Sequence, residues 1–106
     1  MTIDEFHAVD LRVAKILSAD RVQGSEKLVR LDVDLGDETR QIIAGVGKVY
    51  EPEHLVGREI VIVANLEPRM LMGIESQGML LAATNENGEP IILIPEKNVA
   101  PGSGIR

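Results

Sequence analysis

The side chains that could carry covalent chemistry are few in this sequence and badly spaced for it. There are zero cysteines and two histidines, His7 and His54. A thiolate metal site, a disulfide framework and a cysteine nucleophile are therefore excluded. Neither histidine has a second histidine four residues away or an acidic cluster beside it, and a metal centre needs several convergent ligands. Ser18, Ser25, Ser76 and Ser103 have no nearby histidine to act as base, and no G-x-S-x-G motif occurs. Asp32 and Asp34 alternate along one strand, the usual pattern of a solvated face. Gly45-Val46-Gly47-Lys48 lacks the spacing of a phosphate loop and does not run into a long helix. The expectation is a protein with no catalytic residue, no metal and no cofactor.

Binding chemistry is better represented. The formal net charge is −6, against the basic excess usual for nucleic-acid binders. However, seven of the eleven lysines and arginines fall between Arg12 and Lys48, so folding can segregate charge. The basic positions of interest are Arg12, Lys27, Arg30, Arg40, Lys48 and Arg69. Arg30 and Arg40 are expected on adjacent strands of one sheet, on a face that could neutralise phosphates locally. The only rings are Phe6 and Tyr50, so the aromatic platform on which single-stranded bases stack is missing. That points to a folded RNA read by its shape, phosphates and 2′-hydroxyls.

One stretch is out of character. Asn65 to Met79 lies between two apolar segments, with Pro68 fixing a turn and Ser76-Gln77-Gly78 forming a bend. Read as a loop, it has no local need for three large apolar residues in a row, yet Met70, Leu71 and Met72 stand there. They require a core to enter or a partner to touch.

The elements that must position these residues are short and mostly extended. Thr2-Ile3-Asp4-Glu5 has the form of a capping box for a helix through Phe6 and His7. Val9 to Leu17 alternates imperfectly, predicting a long strand with an irregularity at Lys15-Ile16. Val29, Leu31, Val33 and Leu35 face one way, and Leu28, Arg30, Asp32 and Asp34 the other. Gly36-Asp37 turns the chain, and Arg40 to Ala44 returns antiparallel. Pro52 to Gly57 reads as a short helix, with proline near its start and glycine just past its end. Arg58 to Ala64 and Met79 to Ala83 read as strands, and Asn87-Gly88 as a hairpin turn into Ile91–Ile94. The tail from Val99 to Arg106 is expected to run along the surface. Residues 1–106 read as one domain. The order predicts an all-β fold: a five-stranded OB-fold barrel with a short helix between strands 3 and 4 and an extra C-terminal hairpin arm. A β-sandwich is the competing architecture, but a helix at that position is unusual in one. No apolar run approaches the roughly 18–20 residues of a membrane span, and the first five residues carry acids where a secretory signal carries Lys or Arg. A cytoplasmic location is expected.

Several blocks taken together are more specific. Ile3-Asp4-Glu5-Phe6, Val9-Asp10-Leu11-Arg12-Val13, Gly24-Ser25-Glu26-Lys27-Leu28 and Val33-Asp34-Leu35-Gly36 are followed by Arg40-Gln41-Ile42-Ile43-Ala44-Gly45. Then come Val63-Ala64-Asn65-Leu66, Pro68-Arg69 and Gly73-Ile74-Glu75-Ser76-Gln77-Gly78-Met79. In this order they resemble the tRNA-binding domain at the C-terminus of many bacterial methionyl-tRNA synthetases. The same domain occurs as free-standing structure-specific tRNA-binding proteins, as a small archaeal synthetase-associated subunit, and in a bacterial chaperone-like group linked to protein export.

The resemblance implies an OB barrel, usually a homodimer, that binds the outer corner of the tRNA L-shape without catalysis, in some cases with an aminoacyl-tRNA synthetase. Carried onto this chain, it implies phosphate contacts from Lys27 and Arg40 and a backbone clamp from Arg69. Asn65 and Ser76 would supply hydrogen bonds, Gln77 another, and Met79 the floor of the site. Many members place lysine where Glu67 and Met70 stand, and some place arginine at Met72. The resemblance thus implies a weaker electrostatic grip here, or an apolar loop used for another partner. The alternative reading is a dimeric, chaperone-like peptide binder related to export, using Met70, Leu71 and Met72.

Overall fold

The computed structural model describes residues 1–106. The N-terminal helix α1 (Ile3–His7) buries no residue and is held by its cap. Thr2 Oγ1 accepts from the Glu5 amide at 3.2 Å, and the Thr2 amide donates to Glu5 Oε1 at 2.9 Å. That reciprocal pair satisfies two donors a helix start otherwise leaves open.

Strands β1 (Leu11–Arg21), β2 (Val29–Asp34) and β3 (Thr39–Ala44) form an antiparallel meander. β2 follows its sequence alternation: Val29, Leu31 and Val33 are fully buried while Arg30, Asp32 and Asp34 stay half-exposed. β1 runs further than the expected Leu17 because its two halves pair with different strands. Leu11–Lys15 pairs with β4 (Glu59–Val63), and Lys15–Arg21 pairs with β2. The irregularity falls between Ile16 and Ser18, one residue beyond the expected pair. Ile16 is fixed at both backbone groups, its amide to Arg58 O at 2.9 Å and its carbonyl to the Gly57 amide at 2.8 Å. The extra residue therefore has to be Leu17, which is 47% exposed.

Helix α2 (Pro52–Leu55) sits between β3 and β4 with Pro52 in its first turn, and it inserts Leu55 fully into the core. There Leu55 packs with Ile16, Leu31, Ile42, Ile60 and Ile62. Each such side chain contributes about 1.5–3 kcal/mol by leaving water. The five-stranded sheet has the order β3-β2-β1-β4-β7, with β7 at Met79–Leu80. This is the expected OB arrangement, an antiparallel near-barrel with its short helix between β3 and β4.

Two segments differ from the sequence reading. The stretch that reads as a loop contains its own hairpin, β5 (Arg69–Leu71) with β6 (Ile74–Ser76), pairing Arg69 with Ser76 and Leu71 with Ile74. The strand expected over Met79–Ala83 divides into β7 and β8 (Ala82–Thr84). Leu81 is where the chain changes neighbours: its amide bonds Val61 O, and its carbonyl accepts from the Leu93 amide. From there β8 pairs with β9 (Pro90–Ile92) as the C-terminal arm. Asn85 Oδ1 closes that arm's turn by accepting from the Asn87 and Glu89 amides. The tail lies against β1, with Val13 exchanging backbone bonds with Gly102 and Ser103 at 2.7 and 2.9 Å.

Candidate nucleic-acid interface

The barrel is closed by side chains where a regular strand ladder gives out. β3 pairs with β2 along one edge; its other edge meets the Ser76-Gln77-Gly78 bend. Ser76 Oγ accepts from the Ile43 amide at 2.9 Å and donates to Gly78 O at 3.0 Å. Gln77 Oε1 accepts from the Gln41 amide at 2.9 Å, and the Gln77 amide returns a bond to Gln41 O at 2.8 Å. The Gln41 side chain adds a bond to Glu75 O at 2.7 Å. Ser76 is only 2% exposed, so both hydrogen-bonding directions of its hydroxyl are already used inside the fold.

Arg40 reinforces the same seam. Its guanidinium donates to Ala64 O and, at 3.4 Å, to Gln77 O, and it pairs with Glu38. The expectation that Arg30 and Arg40 share a face does not hold. Arg40 lies opposite Val33, which is buried, whereas Arg30 lies opposite Ile43 on β3 and Asp20 on β1. Directly opposed residues of an antiparallel pair project to one side. Arg40 is thus on the core side at the barrel's end and Arg30 on the outer side. Arg30 makes long 3.5 Å contacts to Asp20 and to Gln41 Oε1.

Asn65 stands at the exit of β4 and ties down the chain start. Its Oδ1 accepts from the Asp10 amide at 2.9 Å, and its Nδ2 donates to Ala8 O at 2.7 Å. Asp10 in turn bonds Arg12 at 3.0 Å and holds that guanidinium's pKa above its usual value. The residues after helix α1 are thereby anchored to the rim of the Asn65–Met79 segment.

Arg69 and Met79 have no such internal commitments. Arg69 is exposed and forms no ion pair, and Met79 is 44% exposed. Together with Leu66, Glu67, Ser76 and Gly78 they line a cleft of about 370 Å³. Arg69 and Met79 also border a second hollow floored by Ile43, Ala44, Leu80 and Ala82. Through Gly45 this second hollow adjoins a third that contains Lys27. The Lys27 stem covers Gly45 so closely that a Cβ there would stand 2.9 Å from Lys27 Cε. The fold therefore gathers Lys27, Arg69, Ser76 and Met79 along one surface. Arg40, Asn65 and Gln77 brace its edge, and Arg30, opposite Ile43, is not among the residues that line its hollows. Ile43 and Leu80 are not legible from sequence as site residues, because nothing in β-strand alternation separates an apolar site floor from an apolar core.

The hairpin carries the apolar trio outward. Met70 and Met72 are 62% and 58% exposed. Met72 and Gly73 have φ of 49° and 79°, a two-residue turn with both residues left-handed, and Met72 is the one non-glycine residue so placed. Such turns follow the twist of the strands they join. The Met72 methyl reaches over to Gly24, in the turn between β1 and β2, so the two loops that border the OB ligand face touch. Among the helices, none is long and apolar enough to cross a membrane.

Over residues 11–104 the sequence matches the family described as "Putative tRNA binding domain". The methionine–tRNA ligase of Caldanaerobacter subterraneus subsp. tengcongensis is 55% identical over 105 residues, which is 99% of this chain and 16% of the ligase. The chain thus spans a small part of that relative's length. Among solved structures, a MetRS related protein from Pyrococcus horikoshii superposes with a TM-score of 0.94 at 33% identity, covering 100% of this chain and 97% of the other. A chaperone CsaA from Bacillus anthracis superposes at 0.92 with 29% identity, covering 100% and 98%.

Proposed function

Because the chain belongs to the tRNA-binding domain family, we propose that it is a non-catalytic module that grips the folded outer corner of tRNA, free-standing or with methionyl-tRNA synthetase. The observation that carries this reading is the surface on which Arg69 and Lys27, both free of ion pairs, flank the exposed Met79. Arg69 and Lys27 bind phosphates, and Met79 packs against sugar or base. Asn65, Ser76, Gln77 and Arg40 act on the RNA mainly by holding the rim in place. Arg30, with only long contacts to Asp20 and Gln41, swings to a phosphate at the margin. The chain acts as a homodimer in the cytoplasm, and sedimentation velocity tests the dimer.

A filter-binding titration of unfractionated tRNA at two salt concentrations, beside a generic duplex RNA, tests the main reading. Preference for tRNA, loss of binding with salt, and weakening by Arg69→Ala are expected. Equal affinity for the duplex refutes it.

A second reading is favoured by the exposure of Met70 and Met72 and the likeness to a chaperone CsaA. Flexible thioether side chains pack against varied apolar partners, as a chaperone-like peptide binder requires. That role predicts suppression of aggregation of an unfolded client, abolished by Met70→Ser with Met72→Ser. An undiminished effect of the double variant rejects it.

A further inference from the structure

The eleven lysines and arginines are not equally available to a ligand. Arg12, Arg21, Arg30 and Arg40 pair with Asp10, Glu51, Asp20 and Glu38. Lys15 and Arg58 border adjoining hollows that also hold Glu59, and Lys15 further faces Asp34 across the β1–β2 ladder. Seven form no ion pair, Lys97 and Arg106 among them, and of these Lys27, Lys48 and Arg69 line consecutive hollows. The hollow holding Arg69 and Met79 shares Gly45 and Pro90 with its neighbour of about 330 Å³, which contains Lys27 and Lys48.

The loops carrying those two lysines are locked together. Arg21 donates to Gly47 O at 2.7 Å and to Glu26 O at 2.9 Å, and the Gly47 amide donates to Lys27 O at 2.7 Å. A Cβ at Gly47 would stand 2.5 Å from Glu26 O, so the two loops are in backbone contact. This fixes the two stems on neighbouring loops while both side chains remain exposed. One acid faces them, Glu89, and its carboxylate accepts from Asn85 Nδ2 at 3.0 Å. Among the residues lining the hollow, two ammonium groups thus stand against one carboxylate, itself hydrogen-bonded, on a chain of net charge −6. Ammonium groups on flexible stems are point-charge binders of phosphate.

We propose that Lys27 and Lys48 form a second phosphate-binding point of the RNA interface, across Gly45 from Arg69, and that Lys48 contacts an RNA phosphate directly. The inference rests on the tRNA-binding reading, and it identifies the occupant as the same RNA backbone because the hollow is continuous with the Arg69 surface. With Lys48 added, the interface extends beyond Arg69, Met79 and Lys27 to the loop after β3, which suits a ligand recognised by shape.

The test is tRNA binding to the full chain across a salt series, comparing Lys48→Gln with Lys15→Gln, which makes the same charge change away from the track. Thermal melts check that both variants fold. Lys48→Gln is expected to lower affinity by about threefold or more at low salt and to reduce the slope of log K on log salt by about one. Lys15→Gln is expected to leave the slope unchanged. If Lys48→Gln behaves as Lys15→Gln does while Arg69→Ala still weakens binding, the second phosphate point is wrong and the tRNA reading stands. If the unaltered chain shows no preference for tRNA, both fall.

Discussion

Ser76→Ala separates a direct RNA contact from a structural one. In the folded chain the Ser76 hydroxyl is the acceptor for the Ile43 amide at 2.9 Å and a donor to Gly78 O at 3.0 Å, in a residue 2% exposed. Alanine removes the oxygen and leaves a backbone N–H on the closing edge of β3 without a partner. Stranding a buried donor costs about 1–3 kcal/mol. With a urea m-value of about 1–3 kcal/mol per molar, the midpoint should fall by roughly 1 M with m unchanged. Binding of tRNA should weaken in parallel, because the rim loses its anchor. The salt slope should stay the same, since a neutral, buried hydroxyl meets no phosphate. Equilibrium urea unfolding and a salt series of tRNA titrations read the two quantities. A midpoint shift below about 0.3 M, or weakened RNA binding with stability unaltered, refutes the account of Ser76 as the clasp of the barrel.

Other perturbations follow from the same geometry. Gly78 has φ of 149°, and a Cβ there would lie 2.9 Å from Val63 O; Gly78→Ala should destabilise by roughly 1–3 kcal/mol in the same unfolding assay. Met72 holds the left-handed first position of the hairpin turn, a place where asparagine before glycine is preferred. Met72→Asn should therefore raise stability by about 0.5–1 kcal/mol, measured as an upward shift in urea midpoint. The Glu5 carboxyl titrates below its ordinary 4.5 because the Thr2 amide, then the Thr2 hydroxyl, bond to it. A depressed carboxyl pKa means the cap's support for α1 is complete above that ordinary value and lost as pH falls through the lowered one. NMR shifts of the Thr2 and Glu5 amides, the two donors of the cap, should report its loss on acidification and no change from neutral pH down to about pH 5.

The sequence by itself settled the local features. The alternation of Val29, Leu31 and Val33 fixed which face of β2 is buried, because side chains of a strand repeat every two residues. The Thr2–Glu5 spacing fixed the start of α1, Pro52 fixed α2, and Asn87-Gly88 fixed the turn of the C-terminal arm. Order and type of these elements were enough for the OB barrel, and the ordered blocks ending in Ser76-Gln77-Gly78-Met79 were enough for the family. What depends on register and closure was decided only in three dimensions. Arg40 and Arg30 part to opposite faces because Arg40 aligns with Val33, and a shift of one residue in that pairing would have reversed the result. Composition likewise cannot say which polar groups are already satisfied. Ser76, Gln77, Asn65 and Arg40 read as candidate RNA contacts, yet each meets a backbone group far away in sequence. Those partners exist only once β3 and the Ser76–Gly78 bend meet and Asn65 reaches the residues after α1. Of the cations that closure leaves without a carboxylate, Lys27, Lys48 and Arg69 are the ones it sets along adjoining hollows.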